Sequence, residues 1–448
     1  MKTSLSETSL NRIAGVLNRS LDGHAVRFPG ESIGRQPVHT VYGGAHLFKS
    51  DTAIRLGKNA LRSFQEYVSD PHILGQIFDI EPEIEETVYQ RVGEKLSSEA
   101  VEDLRIDFED GYGIRPDAEE DEHAIFTGRE LAQGIANATL PPFVGMRIKA
   151  LSTESCLRGL RTLDLCLTSL ADASGGILPR NFVVTIPKIV LPEQVSTLCE
   201  ALDEIEAKLG IENGLVKVEI MIETTRSIFG ADGRAAMPAF VEAARGRCTG
   251  AHFGAYDYTA ACGITAADQD LLHPACDFAR HMMQVSLGGT GVFLSDGATN
   301  ILPIAPHKGE GLSAIQVSEN RSAIHAAWKI HFDHCRHSLS SGFYQGWDLH
   351  PAQIVSRYAA VFSFFLENID AAADRLKNFV DVAARATLVG DVFDDAATGQ
   401  GLLNFFLRAI NCGAITEYET ATRTGLTIGD LRSKSFAQIL HSRASTLR

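Results

Sequence analysis

Short β-branched and aromatic runs alternate along this chain with longer stretches of helical periodicity, the pattern of a parallel α/β sheet. Eight runs read as strands: HTVYGGAHLF near 39–48, LRIDFED near 104–110, FVGMRIKAL near 143–151 and NFVVTIPKIV near 181–190, then VKVEIMIET near 216–224, TGAHFGAYDYT near 249–259, GVFLSDG near 291–297 and QGWDLHP near 345–351. From the second run onward they recur every 33 to 54 residues, room for one strand, one helix and two loops. Eight strands at that rhythm predict an α/β fold of the (β/α)8 TIM-barrel type, since open doubly wound sheets more often have about five to seven.

The intervening segments carry helix signals. SDTAIRLGKNALRSFQEYV opens at a Ser50/Asp51 cap, and LPEQVSTLCEALDEIEAKLG has Pro192 early and Gly210 as a stop. SAIHAAWKIHFDHCRHSL keeps apolar residues at helical spacing up to Gly342. Two helical patterns fill the long gap between the first two strands. After the eighth strand, AQIVSRYAAVFSFFLENIDAAADRLKNFVDVAARATL reads as one continuous helix, and a further helical tail follows from about 390. Thr427 with Asp430 three residues on, flanked by Leu426 and Leu431, has the form of a capping box with a hydrophobic staple. The expected division is an N-terminal helical extension over 1–38, a catalytic barrel over 39–355 and a C-terminal helical module over 356–448.

Composition narrows the function classes. A net charge of −15 without any run of Lys or Arg argues against a nucleic-acid partner. The longest apolar runs, such as AAVFSFF, fall far short of the ~20 residues of a membrane helix, and the polar N-terminus has no signal-peptide core. Eight cysteines stand singly with no C-x-x-C, which reads as buried free thiols in a reducing, cytoplasmic setting.

Within this frame two acids stand out. Glu223 and Asp257 each close an apolar run, on consecutive predicted strands. Two hard oxygen ligands on neighbouring strand ends suit a Mg²⁺ ion that keeps open positions for a substrate. The same rim collects Glu109, Asp110, Arg147, Lys188 and His350, with His39 or His46 from the first strand. Burying that many like charges is costly unless a cation is present. Arg147 on a mostly apolar strand calls for a partner: a substrate carboxylate or enolate oxygen, or an internal ion pair with Glu109 or Asp110.

These segments resemble the HpcH/HpaI aldolase and citrate lyase β-subunit superfamily, within the pyruvate/phosphoenolpyruvate-binding barrels. The resemblance runs through LRIDFEDGYG, GMRIKAL, IPKIVLPEQV, MIETTRSIFG, FGAYDYT, FARHMMQVSLGGTGVFLSDG and GFYQGWDLHPAQI, in order, from about 104 to 355. It implies a metal-assisted carbon–carbon lyase of the aldolase type that handles a small 3-hydroxy or 2-oxo acid. It places the metal ligands at Glu223 and Asp257, with Mg²⁺ or alternatively Mn²⁺ as cofactor. It places Arg147 on the enolate oxygen, Glu109 and Asp110 near the metal's waters, and the N–H groups of Gly254 and Ala255 at the substrate carboxylate. It also implies a homo-oligomer, trimeric or hexameric. Lys149 replaces the family's Asn, and RPDAEEDEHA replaces a basic stretch that would suit a CoA thioester.

A general base is open among His46, His39, His350 and a water held by Asp110. Phosphoenolpyruvate phospho-transfer and non-catalytic metabolite binding are the competing readings. His331, His334, His337 and Cys335 read as a solvated helix face. GGTG at 288–291 reads as a tight turn, and His307 and Lys308 as loop residues within reach of an anion.

Overall fold

The computed structural model describes residues 4–30, 34–381, 387–389, 392–394 and 396–432. Eight parallel strands close a barrel: β1 (His39–Gly44), β2 (Asp103–Asp107), β3 (Phe143–Arg147), β4 (Phe182–Ile186), β5 (Lys217–Ile222), β6 (Cys248–Phe253), β7 (Phe293–Ala298) and β8 (Gln345–Asp348). Each pairs with its successor, and β8 returns to β1 through His39↔Gly346 and Thr40↔Trp347. The expected (β/α)8 TIM barrel is the observed fold, and all eight predicted runs contain a strand. The strands are shorter than the runs because each run continues into the loop above the rim.

Strand parity divides the barrel into two environments. In β2, Leu104 and Ile106 pack outward into the layer shared with the helices, while Asp103, Arg105 and Asp107 face the barrel axis. The outward layer also takes Val144 and Met146 of β3, Val184 and Ile186 of β4, and Ile220 and Ile222 of β5, all fully buried. The axis is filled with polar groups. Arg105 pairs with Asp103 at 2.7 Å and with Glu219 at 2.8 Å. His252 lies 3.0 Å from Glu219, and Thr40 donates to Asp103 at 2.8 Å.

Three helices, not two, connect β1 to β2: Thr52–Tyr67, Pro71–Phe78 and Pro82–Ser98. Asp70 caps the middle one by accepting from the Ile73 N–H, with Pro71 at its first position, which sets a third helix apart from the two expected. Asp51 sits at the N-cap of Thr52–Tyr67, but its carboxylate pairs with Arg55 at 3.0 Å and makes no cap bond. Helix Pro192–Leu209 ends at Gly210 in the left-handed conformation, as its stop signal indicates.

Helix Gln353–Asp381 follows β8 and is shorter than the predicted continuous one: Thr387–Val389 and Val392–Asp394 instead pair as antiparallel strands. The β-branched residues in that stretch favour extended backbone. Helices Ala396–Asn411, Glu417–Thr424 and Ile428–Arg432 complete the described C-terminal region. Thr427 and Asp430 cap each other reciprocally there, at 2.9 and 3.2 Å. Among the described residues, no helix is long and apolar enough to cross a membrane. Five of the eight cysteines are buried, but Cys262 is exposed and Cys156 and Cys248 are half-buried.

Candidate active site

The site at the C-terminal mouth is built first by strand register. Asp107 stands beside Arg147 across the β2–β3 ladder. The guanidinium closes on it as a fork, Nε to Oδ1 at 2.7 Å and Nη2 to Oδ2 at 2.5 Å. Asp107 also accepts from the N–H groups of Glu109 at 3.0 Å and Gly111 at 2.7 Å, so its carboxylate is fully engaged. Glu109 and Asp110, the partners expected for Arg147, stand further off, at 3.2 and 3.6 Å from Nη1. Asp107 is the residue that sequence reasoning passed over. Its place two residues before Glu109, on the same face of an apolar strand, was the available signal.

The acids then gather around Lys188. Its ammonium pairs with Glu109 and lies 3.1 Å from Asp110 Oδ1 and 3.5 Å from Asp257 Oδ2. Its backbone N–H donates to Glu223 Oε1 at 2.5 Å. Burial opposes the ammonium's charge but is outweighed by Glu109, so Lys188 stays protonated and is a poor Schiff-base nucleophile. Glu109 itself is pushed up by burial, against the pull of Arg147 and Lys188. Asp110 is held down because its contacts with Glu109, Arg147 and Lys188 outweigh burial.

Glu223 follows directly on β5 and is 1% exposed. Its side chain lies against Gly254, where an added Cβ would come within 2.5 Å of Glu223 Cβ and 2.6 Å of Oε2. Burial, then the neighbouring charge of Asp257, push Glu223 up to about 8, while Lys188 and Arg147 pull the other way. Asp257 does not close a strand as expected. β6 ends at Phe253, the chain turns at Gly254, and Asp257 sits in the first turn of helix Ala255–Ala261 with its side chain 45% exposed. An apolar run and a short amphipathic helix read alike over so few residues.

The floor of the mouth is aromatic. Tyr42 and Trp347 lie 4.5 Å apart between ring centroids, the Arg147 guanidinium stands 5.0 Å above Tyr42, and Met221 and Ala298 complete the patch. Below it, Trp347 Nε1 donates to His252 Nδ1 at 2.9 Å, which leaves the ring proton of neutral His252 on Nε2, facing Glu219.

The remaining candidates fall in different places. His46 lies in a short 3-10 turn after β1 and faces Tyr112 and His123; burial and the charge of Arg115 lower its pKa. His39 points out of the barrel, fully buried, 3.0 Å from Asp348, and does not reach the mouth. The outward parity of the first residue of β1 is the reason. His350 accepts from the Ala352 N–H at 3.2 Å, in the turn after β8. Gly254 donates its N–H to Ile222 at 3.0 Å, whereas Ala255 opens the helix that carries Asp257. His331 and His334 are buried, not solvated: His331 lies 3.0 Å from Asp348, and His334 is 2.9 Å from Thr299 Oγ1. Helix Ala314–Ser340 is covered by helix Gln353–Asp381 on the face that carries His331. His307, in the loop after β7, pairs with Glu319 at 2.5 Å.

Residues 19–439 match the family described as a domain of unknown function, DUF6986. The chain belongs to that family. No curated protein matches this DUF6986 member. Among solved structures it is similar to a citrate lyase from Burkholderia xenovorans, at 16% identity and a TM-score of 0.57 over 88% of this chain and 98% of that one. A malate synthase from Haloferax volcanii overlaps at 14% identity and a TM-score of 0.47, covering 89% and 97% of the two chains. CitE from Mycobacterium tuberculosis, in complex with magnesium and pyruvate, overlaps at 16% and 0.39, covering 73% and 91%. At these identities the likeness to the citrate lyase speaks for the barrel fold alone.

Proposed function

We propose that this DUF6986 protein is a Mg²⁺-dependent carbon–carbon lyase that cleaves or forms a small 3-hydroxy or 2-oxo acid through an enolate. The observation that carries the reading is Glu223: a buried carboxyl pushed up to about 8 beside a second carboxylate, Asp257, in the mouth of the barrel. A carboxyl pair short of positive charge is a donor set for a hard divalent cation, and one bound there would favour the ionised form of Glu223. Among the described residues no group of three or more His, Cys, Asp or Glu side chains forms a ready metal cage. Two carboxylates with positions left to water and substrate is the arrangement that suits Mg²⁺.

When bound, the ion would supply Lewis-acid stabilisation to the oxygen on which charge develops. The chain's own residues do the rest. Arg147, fixed by the Asp107 fork, keeps Nη1 turned toward the mouth and offers it to the same oxygen or to the substrate carboxylate. Tyr42, Trp347 and Met221 floor a space suited to a small, flat acid and exclude water beneath it. Asp110, exposed enough to meet solvent and held ionised, is the carboxylate best placed to accept a proton through water. His46, on the other side of the β1–β2 rim, is the second base candidate.

The test is Mg²⁺-dependent deuterium exchange into the methyl group of pyruvate, followed by proton NMR. Glu223→Gln and Asp257→Asn are each expected to lower it by ~100-fold or more. Unchanged exchange in both variants overturns the assignment.

A further inference from the structure

We propose that Lys188 is a built-in placeholder for the divalent cation, occupying its charge position in the metal-free protein and displaced when a metal enters. The proposal rests on the reading of Glu223 and Asp257 as metal ligands.

A single residue reaches all four acids of that reading. The ammonium meets Glu109, Asp110 and Asp257, and the backbone N–H meets Glu223. The backbone is set for this. Lys188 has φ of +51°, a left-handed conformation that non-glycine side chains rarely adopt, directly after Pro187 at the end of β4. That turn aims the N–H at Glu223 while the side chain crosses the mouth toward Glu109. Strain of this kind persists where the surrounding contacts over-determine it, and the four carboxylates are those contacts.

Charge then argues for exchange rather than permanent residence. Among the described residues, the ion pairs of Asp107, Glu109, Asp110 and Asp257 go to Arg147 and Lys188, and Arg147 commits Nε and Nη2 to Asp107 and holds Nη1 3.2 Å from Glu109. One ammonium shared among Glu109, Asp110 and Asp257 leaves those carboxylates under-compensated. A divalent ion compensates them better. Lysine is also the suitable occupant. It is a compact single charge on a flexible stem, and its side chain is 32% exposed, with a free path to water. Two cations that compete for the same carboxylates are negatively coupled, and the coupling is reciprocal. Removing the ammonium therefore tightens metal binding, whereas a lysine that only orients Glu109 and Asp110 for the metal would, once removed, weaken it.

The experiment is Mn²⁺ binding to the full-length metal-free protein, read from the EPR signal of free Mn²⁺. Lys188→Met and, as a second neutral variant, Lys188→Gln are each expected to bind Mn²⁺ about fivefold or more tightly than wild type, and Lys188→Arg to remain close to wild type. Glu223→Gln and Asp257→Asn are expected to lose binding. If they do and the neutral Lys188 variants bind no more tightly than wild type, the placeholder role is overturned while the metal site stands. If Glu223→Gln and Asp257→Asn bind Mn²⁺ like wild type, the metal site itself is wrong and the placeholder falls with it.

Discussion

Arg147 shows how a single side chain acquires a role from its partner. On an apolar strand it could hold a substrate or an acid, and the fork with Asp107 fixes Nε and Nη2 while leaving Nη1 directed at the mouth. Lysine retains the charge but cannot reproduce two parallel hydrogen bonds. Arg147→Lys is expected to lower kcat in pyruvate exchange by ~100-fold, with a much smaller change in Mn²⁺ affinity; equal loss of both would place Arg147 in holding the metal rather than the substrate. Gly254 makes the complementary point, through an absent side chain. A Cβ there would meet Glu223 at 2.5 Å, so Gly254→Ala is expected to displace the carboxylate and weaken Mn²⁺ binding at least about tenfold, with wild-type affinity as the contrary result. At this scale Glu223 and Arg147 were legible, because a charge at the end of an apolar strand demands explanation. Asp107 was not, because local pattern does not distinguish it from the acids two and three residues on, and only the β2–β3 register sets it beside Arg147.

Among the elements, the β2–β3 pair carries the most information. Its outward face is apolar and its inward face polar, the reverse of a barrel filled by branched aliphatics. Gly145 makes this workable: a Cβ would fall 1.9 Å from Arg105 Nη1 and 2.3 Å from the Val183 carbonyl oxygen. Arg105 is fully buried and can yield little, and the carbonyl belongs to the β4 ladder. Gly145→Ala is therefore expected to destabilise the fold by ~2–3 kcal/mol in urea unfolding, against less than ~1 kcal/mol for an exposed-site control such as Gly401→Ala, which meets nothing within 4 Å. The strand rhythm was readable from sequence because outward faces repeat Val, Ile and Leu. The helical placement of Asp257 was not, because an apolar run and a short helix read alike over the few residues that follow Phe253.

Across the whole molecule, the seam between β8 and β1 is closed by one buried carboxylate. Asp348 receives Arg357 Nη2 at 2.8 Å and lies 3.0 Å from both His39 and His331, joining two strands to helices Ala314–Ser340 and Gln353–Asp381. Burial lowers His331 to about 4, against the upward pull of Asp348. With the folded value below the unfolded 6.5, the contribution is full above about 6.5 and is lost as pH falls toward 4. That amounts to ~2 kcal/mol between pH 7 and pH 5. Glu223, pushed up to about 8, titrates with the opposite sign, so the measurement is a difference. The stability gap between wild type and His331→Asn is expected to shrink by ~2 kcal/mol from pH 7 to pH 5 in urea unfolding, and a gap independent of pH would remove His331 from the acid response.

The sequence by itself determined the barrel and its rim. Eight apolar runs at helix-long intervals admit few other parallel architectures, and polar residues that interrupt such runs must either be paired or be used. Only the tertiary structure decided which partner each charge takes. Strand register chose Asp107 for Arg147, parity sent His39 outward to Asp348, and a left-handed turn at Lys188 laid its ammonium among the acids. Those choices depend on distances between segments some 40 to 300 residues apart in the chain, and local pattern contains no information on them. The physical reason is that burial, not sequence proximity, sets which charges must find each other.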